Sequence, residues 1–235
     1  SGASAITQGR WRPPALLFTD KDTMRILELF AGSRSVGRVG DAMGHEVFSV
    51  DWTHYTDIDL VKDIGLLTVD DLPWIPDMVW ASPDCTTYTI AAISTHRDGV
   101  IPKSKYAAKC DDVNRHVMGL LAELCSANPS LVWFIENPRG MMRKMPWLQN
   151  VRRETVWYCQ YGDDRAKPTD VWTNSQTWVP RPMCKNGSPT CHHQRAPRGA
   201  KTGTQGRKGS YNRSTIPPDL CLEVIQSVRS ELVSL

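Results

Sequence analysis

The sequence predicts an α/β protein built on a parallel sheet with helices on both faces, and two patterns predict it. Short apolar runs of strand length alternate with stretches of helical periodicity, the order that a parallel sheet with crossover helices requires. Several of those runs end in small or polar residues, and in open parallel sheets the carboxyl ends of strands are where ligands sit. The chain has 235 residues, 40% hydrophobic and 23% charged. That is the range of one ordinary globular domain with a sizeable core, which excludes a disordered or fibrous chain.

The elements follow in order. Residues 1–23 read as a leader, with Met24 standing as a candidate natural start directly before the first strand. Residues 25–30 (Arg-Ile-Leu-Glu-Leu-Phe) form a buried strand, and the small-residue turn 31–37 follows it. A short helix over 36–43 stops at Gly44, and a second strand over 45–50 ends in Asp51. Residues 77–81 give another buried strand, closed by the turn Ser82-Pro-Asp-Cys85. Helical spacing from Asp111 to Ala127 places Val113, Val117, Leu120, Leu121 and Leu124 on one face. A further apolar strand over 130–135 runs into Glu136-Asn137-Pro138. The pattern changes after Gly162, where Gly, Pro, Lys and Arg dominate up to about residue 212. Helical spacing then returns with Leu220, Val224, Val228 and Leu232. The expected organisation is a main domain over 24–162, a basic insertion over 163–212, and a closing element over 213–235 that packs back on the sheet.

Charge is unevenly spread. The chain as a whole carries +3, yet residues 163–213 hold ten Lys or Arg against three Asp or Glu, and no acid occurs between Val171 and Pro218. A basic, Gly-rich stretch on a mildly acidic body suits a polyanion; the alternative is a solvated basic loop. No apolar run approaches the ~20 residues of a bilayer span, which excludes a membrane protein. The absence of a secretory pattern and seven scattered cysteines make a reducing cytoplasm the expected compartment.

Three strand ends carry the chemistry. Gly32 lets a backbone approach a ligand closely, and the helix after it offers amide groups. Asp51 is placed to accept hydrogen bonds from a ribose, and Trp52 offers a flat face to an adenine. These features suit a nucleoside-containing cofactor, against the simpler reading of a turn that needs small residues. Cys85 follows Pro83 at a strand end among Asp84, Thr86 and Thr87, whereas Cys110, Cys125 and Cys221 read as ordinary small hydrophobes. Glu136 ends an apolar run, so its carboxylate must be paired, protonated or turned to a ligand. In the basic stretch, Cys184 and Cys191 with His192 and His193 could supply three or four zinc ligands to a segment too poor in apolar residues to fold alone; the alternative is unligated surface side chains.

Glu28-Leu-Phe-Ala-Gly32, Ala81-Ser-Pro-Asp-Cys-Thr-Thr-Tyr-Thr89 and Glu136-Asn-Pro138 stand in the order and spacing of the cytosine-C5 DNA methyltransferases. The chain resembles a compact, phage- or prophage-type member of that family. The resemblance covers most of residues 24–172 and returns at Arg213-Ser-Thr-Ile-Pro-Pro218, similar to the family's closing Gly-Asn-Ser-Val-Pro element. It implies a Rossmann-like S-adenosylmethionine-dependent methyltransferase fold with a small basic target-recognition insertion, acting as a monomer on duplex DNA. Cys85 would be the nucleophile and Glu136 the carboxylate that holds the cytosine. S-adenosylmethionine would contact Phe30, Ala31, Gly32, Ser33, Ser35, Val36, Asp51, Trp52, Asp63, Ile64, Pro83 and Ser214. DNA would be held by Arg97, Asn137, Arg165, Lys167, Arg198, Lys201, Arg207 and Lys208, with the polar segment 94–109 closing over the flipped base.

Departures from the family pattern are specific. Arg34 stands where the second glycine of the cofactor turn is expected, Asp84 replaces the proline before the cysteine, and Pro138 replaces the valine after Glu-Asn. Arg165-Ala-Lys-Pro-Thr169 only loosely resembles Gln-x-Arg-x-Arg, with Lys167 standing in for an arginine. Arg34 keeps a second reading open, transfer of a carboxymethyl group from a carboxylated donor. A third is a silent DNA-binding protein on the same scaffold.

Overall fold

The computed structural model describes residues 23–184, 193–194 and 209–234. In chain order the sheet strands and longer helices are β1 (Arg25–Leu29), α1 (Ser35–Ala42), β2 (Glu46–Asp51), β3 (Leu60–Val61), β4 (Met78–Ala81), α2 (Lys105–Ala127), β5 (Val132–Pro138), β6 (Arg153–Trp157), β7 (Pro168–Thr173) and α3 (Pro218–Val233). The strands form one seven-stranded sheet in the order β3-β2-β1-β4-β5-β7-β6. Pairing from β3 to β5 is parallel, and β7 lies antiparallel between β5 and β6. The fold is therefore mixed α/β with a mostly parallel sheet.

The central strands β1, β4 and β5 are largely apolar because both faces of the sheet are covered. Ile26, Met78, Trp80, Val132 and Phe134 point to one side, packing with Val36, Val39 and Met43 of α1 and with Leu220, Val224 and Val228 of α3. The intervening residues Leu27, Leu29, Val79, Ala81 and Ile135 point to the other side, against Val117, Leu120, Leu121 and Leu124 of α2. This is the two-residue side-chain period of a strand, and each fully buried aliphatic side chain contributes about 1.5–3 kcal/mol.

Two expectations change. The long helix begins at Lys105 rather than Asp111, because Ser104 caps it by accepting the Ala107 amide at 3.0 Å. Asp111 is then no starting residue; it lies inside the protein, paired with Arg97. The sheet also continues past residue 162. β7 lies in it one strand in from the edge, and Trp178 is still buried in the core, so the basic stretch leaves the body near Cys184, not after Gly162. Asp170 of β7 is fully buried and held by Arg143 at 2.6 and 2.9 Å and by the Thr155 hydroxyl at 2.8 Å, which satisfies a charge the interior would otherwise reject. Among the described residues no helix is long and apolar enough to cross a membrane.

Candidate active site

The turn after β1 is built from unusual backbone. Phe30, Gly32 and Arg34 all have positive φ, at 56°, 48° and 52°, a region that costs a non-glycine residue of order 1–3 kcal/mol. Asp51, at the end of the neighbouring β2, holds the turn in place. Its carboxylate accepts the Gly32 amide at 2.9 Å and the Thr53 amide at 2.8 Å, and burial raises its pKa above the ordinary value. Each carboxylate oxygen has a second lone pair, so a ribose hydroxyl can still donate to it.

The first amides of α1 are not free for a ligand. Val36 and Gly37 donate to the buried Glu28 carboxylate, both at 3.0 Å, and burial pushes that group up to about 7. Val36 is accordingly a core residue, with no exposed surface to offer a cofactor. Ser33 and Ser35 share a hydrogen bond at 2.9 Å, and the Ser35 hydroxyl accepts the Ile216 amide at 3.1 Å, tying the turn to the closing element. Ala31 is buried in the turn itself. Arg34 folds inward instead of facing a ligand: its Nε donates to Ser49 at 2.9 Å and its guanidinium pairs with Asp41 at 3.1 Å.

Beside this turn lies a cleft lined by Phe30, Trp52, Asp63, Ile64 and Pro83, five positions expected to contact a cofactor, together with Asp84, Tyr106, Lys109, Cys110, Val113 and Asn114. Trp52 is 72% exposed, so its ring face is open to a stacking partner. Asp63 pairs with Lys109 at 3.0 Å and accepts the Gly65 amide, which together hold its carboxyl below the ordinary range. The contribution of α2 to the cleft was missed in the sequence because its first turn was read as loop. Ser214 is exposed and donates to the Tyr211 carbonyl at 2.9 Å within the short helix Ser210–Ser214.

Cys85 and Glu136 meet because β4 and β5 are parallel neighbours in register, Ala81 beside Ile135. Cys85 is half-buried in the turn after β4. Burial, and next the Glu136 charge, push its thiol up to about 11, while Lys167 opposes the rise. Glu136 is 5% exposed and accepts the Tyr158 hydroxyl at 2.9 Å. Lys167 has its pKa lowered by burial, which the charges of Glu136 and Cys85 partly offset. Its ammonium lies 4.5 Å from the Tyr158 ring centre and donates to the Arg213 carbonyl at 3.3 Å. A thiol, a carboxylate and a cation thus stand close enough to bias one another's ionisation.

The loop bearing Cys85 is rigidly backed. The Cys85 carbonyl accepts the Tyr88 and Thr89 amides, both at 3.0 Å. Arg97 donates to the Thr87 carbonyl at 2.8 Å and forms a doubly hydrogen-bonded pair with Asp111, which also accepts the Tyr88 hydroxyl at 2.7 Å. From the next strand, Asn137 Nδ2 donates to the Pro83 carbonyl at 2.9 Å.

These contacts correct three expectations for DNA. Arg97, Asn137 and Arg165 are 3%, 0% and 0% exposed, and each is engaged within the protein. Arg165 makes a two-point pair with Asp163 and donates to the Arg213 and Thr215 carbonyls, clamping the closing element. Elsewhere in the segment expected to close over a base, Lys103 donates to the Ser94 carbonyl, and Lys109 belongs to the cleft. Arg198, Lys201, Arg207 and Lys208 lie outside the described residues, as do Cys191 and His192. Cys184 and His193 do come together, Sγ to Nδ1 at 3.5 Å, and with them stands Cys159, which the sequence did not single out.

No family profile and no curated protein matches the chain. Among solved structures the chain is similar to the PH0226 protein from Pyrococcus horikoshii OT3, at 14% identity and a TM-score of 0.30, over 58% of each chain. The chain therefore spans under two thirds of that protein.

Proposed function

We propose that this chain is an S-adenosylmethionine-dependent DNA cytosine-C5 methyltransferase, with Cys85 as nucleophile and Glu136 as the group that holds the base. The observation that carries the reading is the pairing of a half-buried thiol with a buried carboxylate on adjacent parallel strand ends, beside a cleft lined by an open indole face and apolar walls. The cleft suits the donor: Trp52 would face its adenine, Phe30, Ile64 and Pro83 would wall it, and Asp51 would meet its ribose. A mostly parallel sheet with one antiparallel strand inserted near its end agrees with the methyltransferase fold that the sequence motifs imply.

The residues divide the work as follows. Cytosine C5 is too weak a nucleophile to take an alkyl group unaided. The Cys85 sulfur adds its electron pair to C6, forming a carbon–sulfur bond and moving ring electrons towards C5. Glu136 holds N3 and the exocyclic amine and offsets charge as that bond forms. The donor would supply a sulfonium methyl group: as C5 bonds to that carbon the methyl–sulfur bond breaks, its electron pair stays on sulfur, and a neutral thioether leaves. The C5 proton then leaves to solvent, the carbon–sulfur bond breaks and Cys85 is regenerated. Tyr158 fixes the Glu136 carboxylate, and Lys167 favours the thiolate over the thiol. The target base must leave the duplex to reach Cys85, and the basic residues of the insertion would hold the phosphates around it.

The test is incubation with duplex DNA and S-adenosylmethionine, followed by nucleoside mass spectrometry. Deoxycytidine should gain the mass of one methylene, and Cys85→Ala should abolish the gain. DNA retention without product would favour the silent binding reading. A carboxylated donor would need a cation of its own, and Arg34, which suggested one, is paired with Asp41.

A further inference from the structure

We propose that Cys159, Cys184 and His193 bind a zinc ion that anchors the root of the basic insertion to the sheet domain. This goes beyond the proposed reaction and does not depend on it. Cys159 lies in the single helical turn Tyr158–Tyr161 between β6 and β7, Cys184 at the point where the chain leaves the body, and His193 beyond it. The three donor atoms lie within 4.8 Å of one another. The Cys184 Sγ to His193 Nδ1 distance is 3.5 Å. Zinc with sulfur at about 2.3 Å and nitrogen at about 2.0–2.1 Å in tetrahedral geometry sets that edge at about 3.6 Å. The Cys184–His193 edge already stands at ligand spacing.

The chemistry of the set selects the metal class. Two thiolates and one neutral imidazole are soft and borderline donors, which exclude calcium and magnesium and suit zinc. On binding, each cysteine loses its proton to solvent, so two thiolates neutralise the dication, a charge balance that suits a half-buried place. These residues supply three of the four positions of a tetrahedral site.

The insertion also needs such an anchor. Between Cys184 and Asn212 the sequence contains no Val, Leu, Ile, Met, Phe or Trp, so it cannot bury a core, and short chains of that kind are commonly ordered by a metal. The neighbouring contacts already converge on this root. The Gln194 amide donates to the Asp164 carbonyl at 2.8 Å, and the Arg181 amide donates to the Tyr161 hydroxyl at 2.9 Å. Tyr158, the residue before Cys159, holds Glu136. A metal here would fix the root of the insertion and the Glu136 carboxylate to one framework.

The experiment measures metal content by inductively coupled plasma mass spectrometry on the full chain, purified under reducing conditions and dialysed after exposure to zinc. One tightly held zinc per chain is expected. Cys159→Ser and Cys184→Ser should each lower it at least fivefold, while Cys125→Ser, on the far side of the sheet, should retain it. Should either variant fail to fold, cobalt titration of the wild type replaces the comparison: a near-ultraviolet thiolate-to-cobalt charge-transfer band saturating at one equivalent is expected. A folded wild type without bound zinc, a saturated complex lacking that band, or zinc retained in full by folded Cys159→Ser would each overturn the proposal. None of these readouts requires methyl transfer.

Discussion

At Cys85 two neighbours of opposite charge set how readily the sulfur ionises. Glu136 raises the thiol and Lys167 lowers it, on top of the larger effect of burial. Alkylation of Cys85, followed by peptide mass spectrometry, should therefore accelerate about tenfold per pH unit up to a midpoint near 11, since only the thiolate reacts. Glu136→Gln should move that midpoint down and Lys167→Met should move it up; equal midpoints in all three proteins would separate Cys85 from both. Glu28 makes a different prediction. Burial lifts its carboxyl from 4.5 to about 7, so between those values the folded chain holds a proton that the unfolded chain has lost. Stability then falls as pH rises through this window, by of order 3 kcal/mol. Relative to Glu28→Gln, the wild-type urea midpoint should decline from pH 4.5 to 7, and parallel profiles would contradict the assignment. Cys85 and Glu136 were legible in the sequence because polar residues at the ends of apolar runs stand out. Tyr158 and Lys167 were not tied to them, since the pairings of β7 with β5 and with β6 bring those distant segments together.

Among the elements, the Cys85 loop and the exit of β5 touch so closely that one side chain decides the fit. The Met141 amide donates to the Tyr88 carbonyl at 2.8 Å, and a Cβ at Gly140 would collide with that same oxygen. Gly140 has an ordinary φ, so space rather than backbone freedom demands glycine. Gly140→Ala should destabilise by about 2–4 kcal/mol in urea unfolding; an unchanged midpoint would mean the loop yields. Arg97→Met tests the same support from behind. It leaves Asp111 buried without its cation, at a cost of about 3–5 kcal/mol, and should speed Cys85 alkylation at a fixed pH as the loop loosens and the thiol loses its burial. Strands β1, β2 and β4 and helix α3 could be read from their apolar pattern to within a residue or two, whereas β5 runs three residues past its apolar stretch and the two-residue β3 gave no pattern to read. β7 could not be read, because buried Thr169, Asp170 and Thr173 break its apolar run, and neither could the edge strand β6, with Arg153, Glu154 and Thr155 among its five residues. The early start of α2 was hidden likewise: Lys105 and Lys109 suggested a basic loop, while Ser104 was already capping the helix.

Over the whole molecule, distant segments converge on one edge of the sheet. The closing element reaches the turn after β1 through Ile216 and Ser35, and Arg165 clamps its carbonyls from the segment before β7. The turn after β1 is thereby held by segments from both ends of the chain. The central claim is that the sulfur of Cys85 bonds to cytosine C6 during transfer. DNA containing 5-fluorocytosine tests this directly, because fluorine cannot leave C5 as a proton does, so the carbon–sulfur bond persists. With S-adenosylmethionine present and a pool of duplexes covering all short cytosine contexts, a denaturation-resistant adduct should form. Peptide mapping should place it on Cys85, and Cys85→Ala should form none. Absence of an adduct in every context, or its attachment to another residue, would contradict the account.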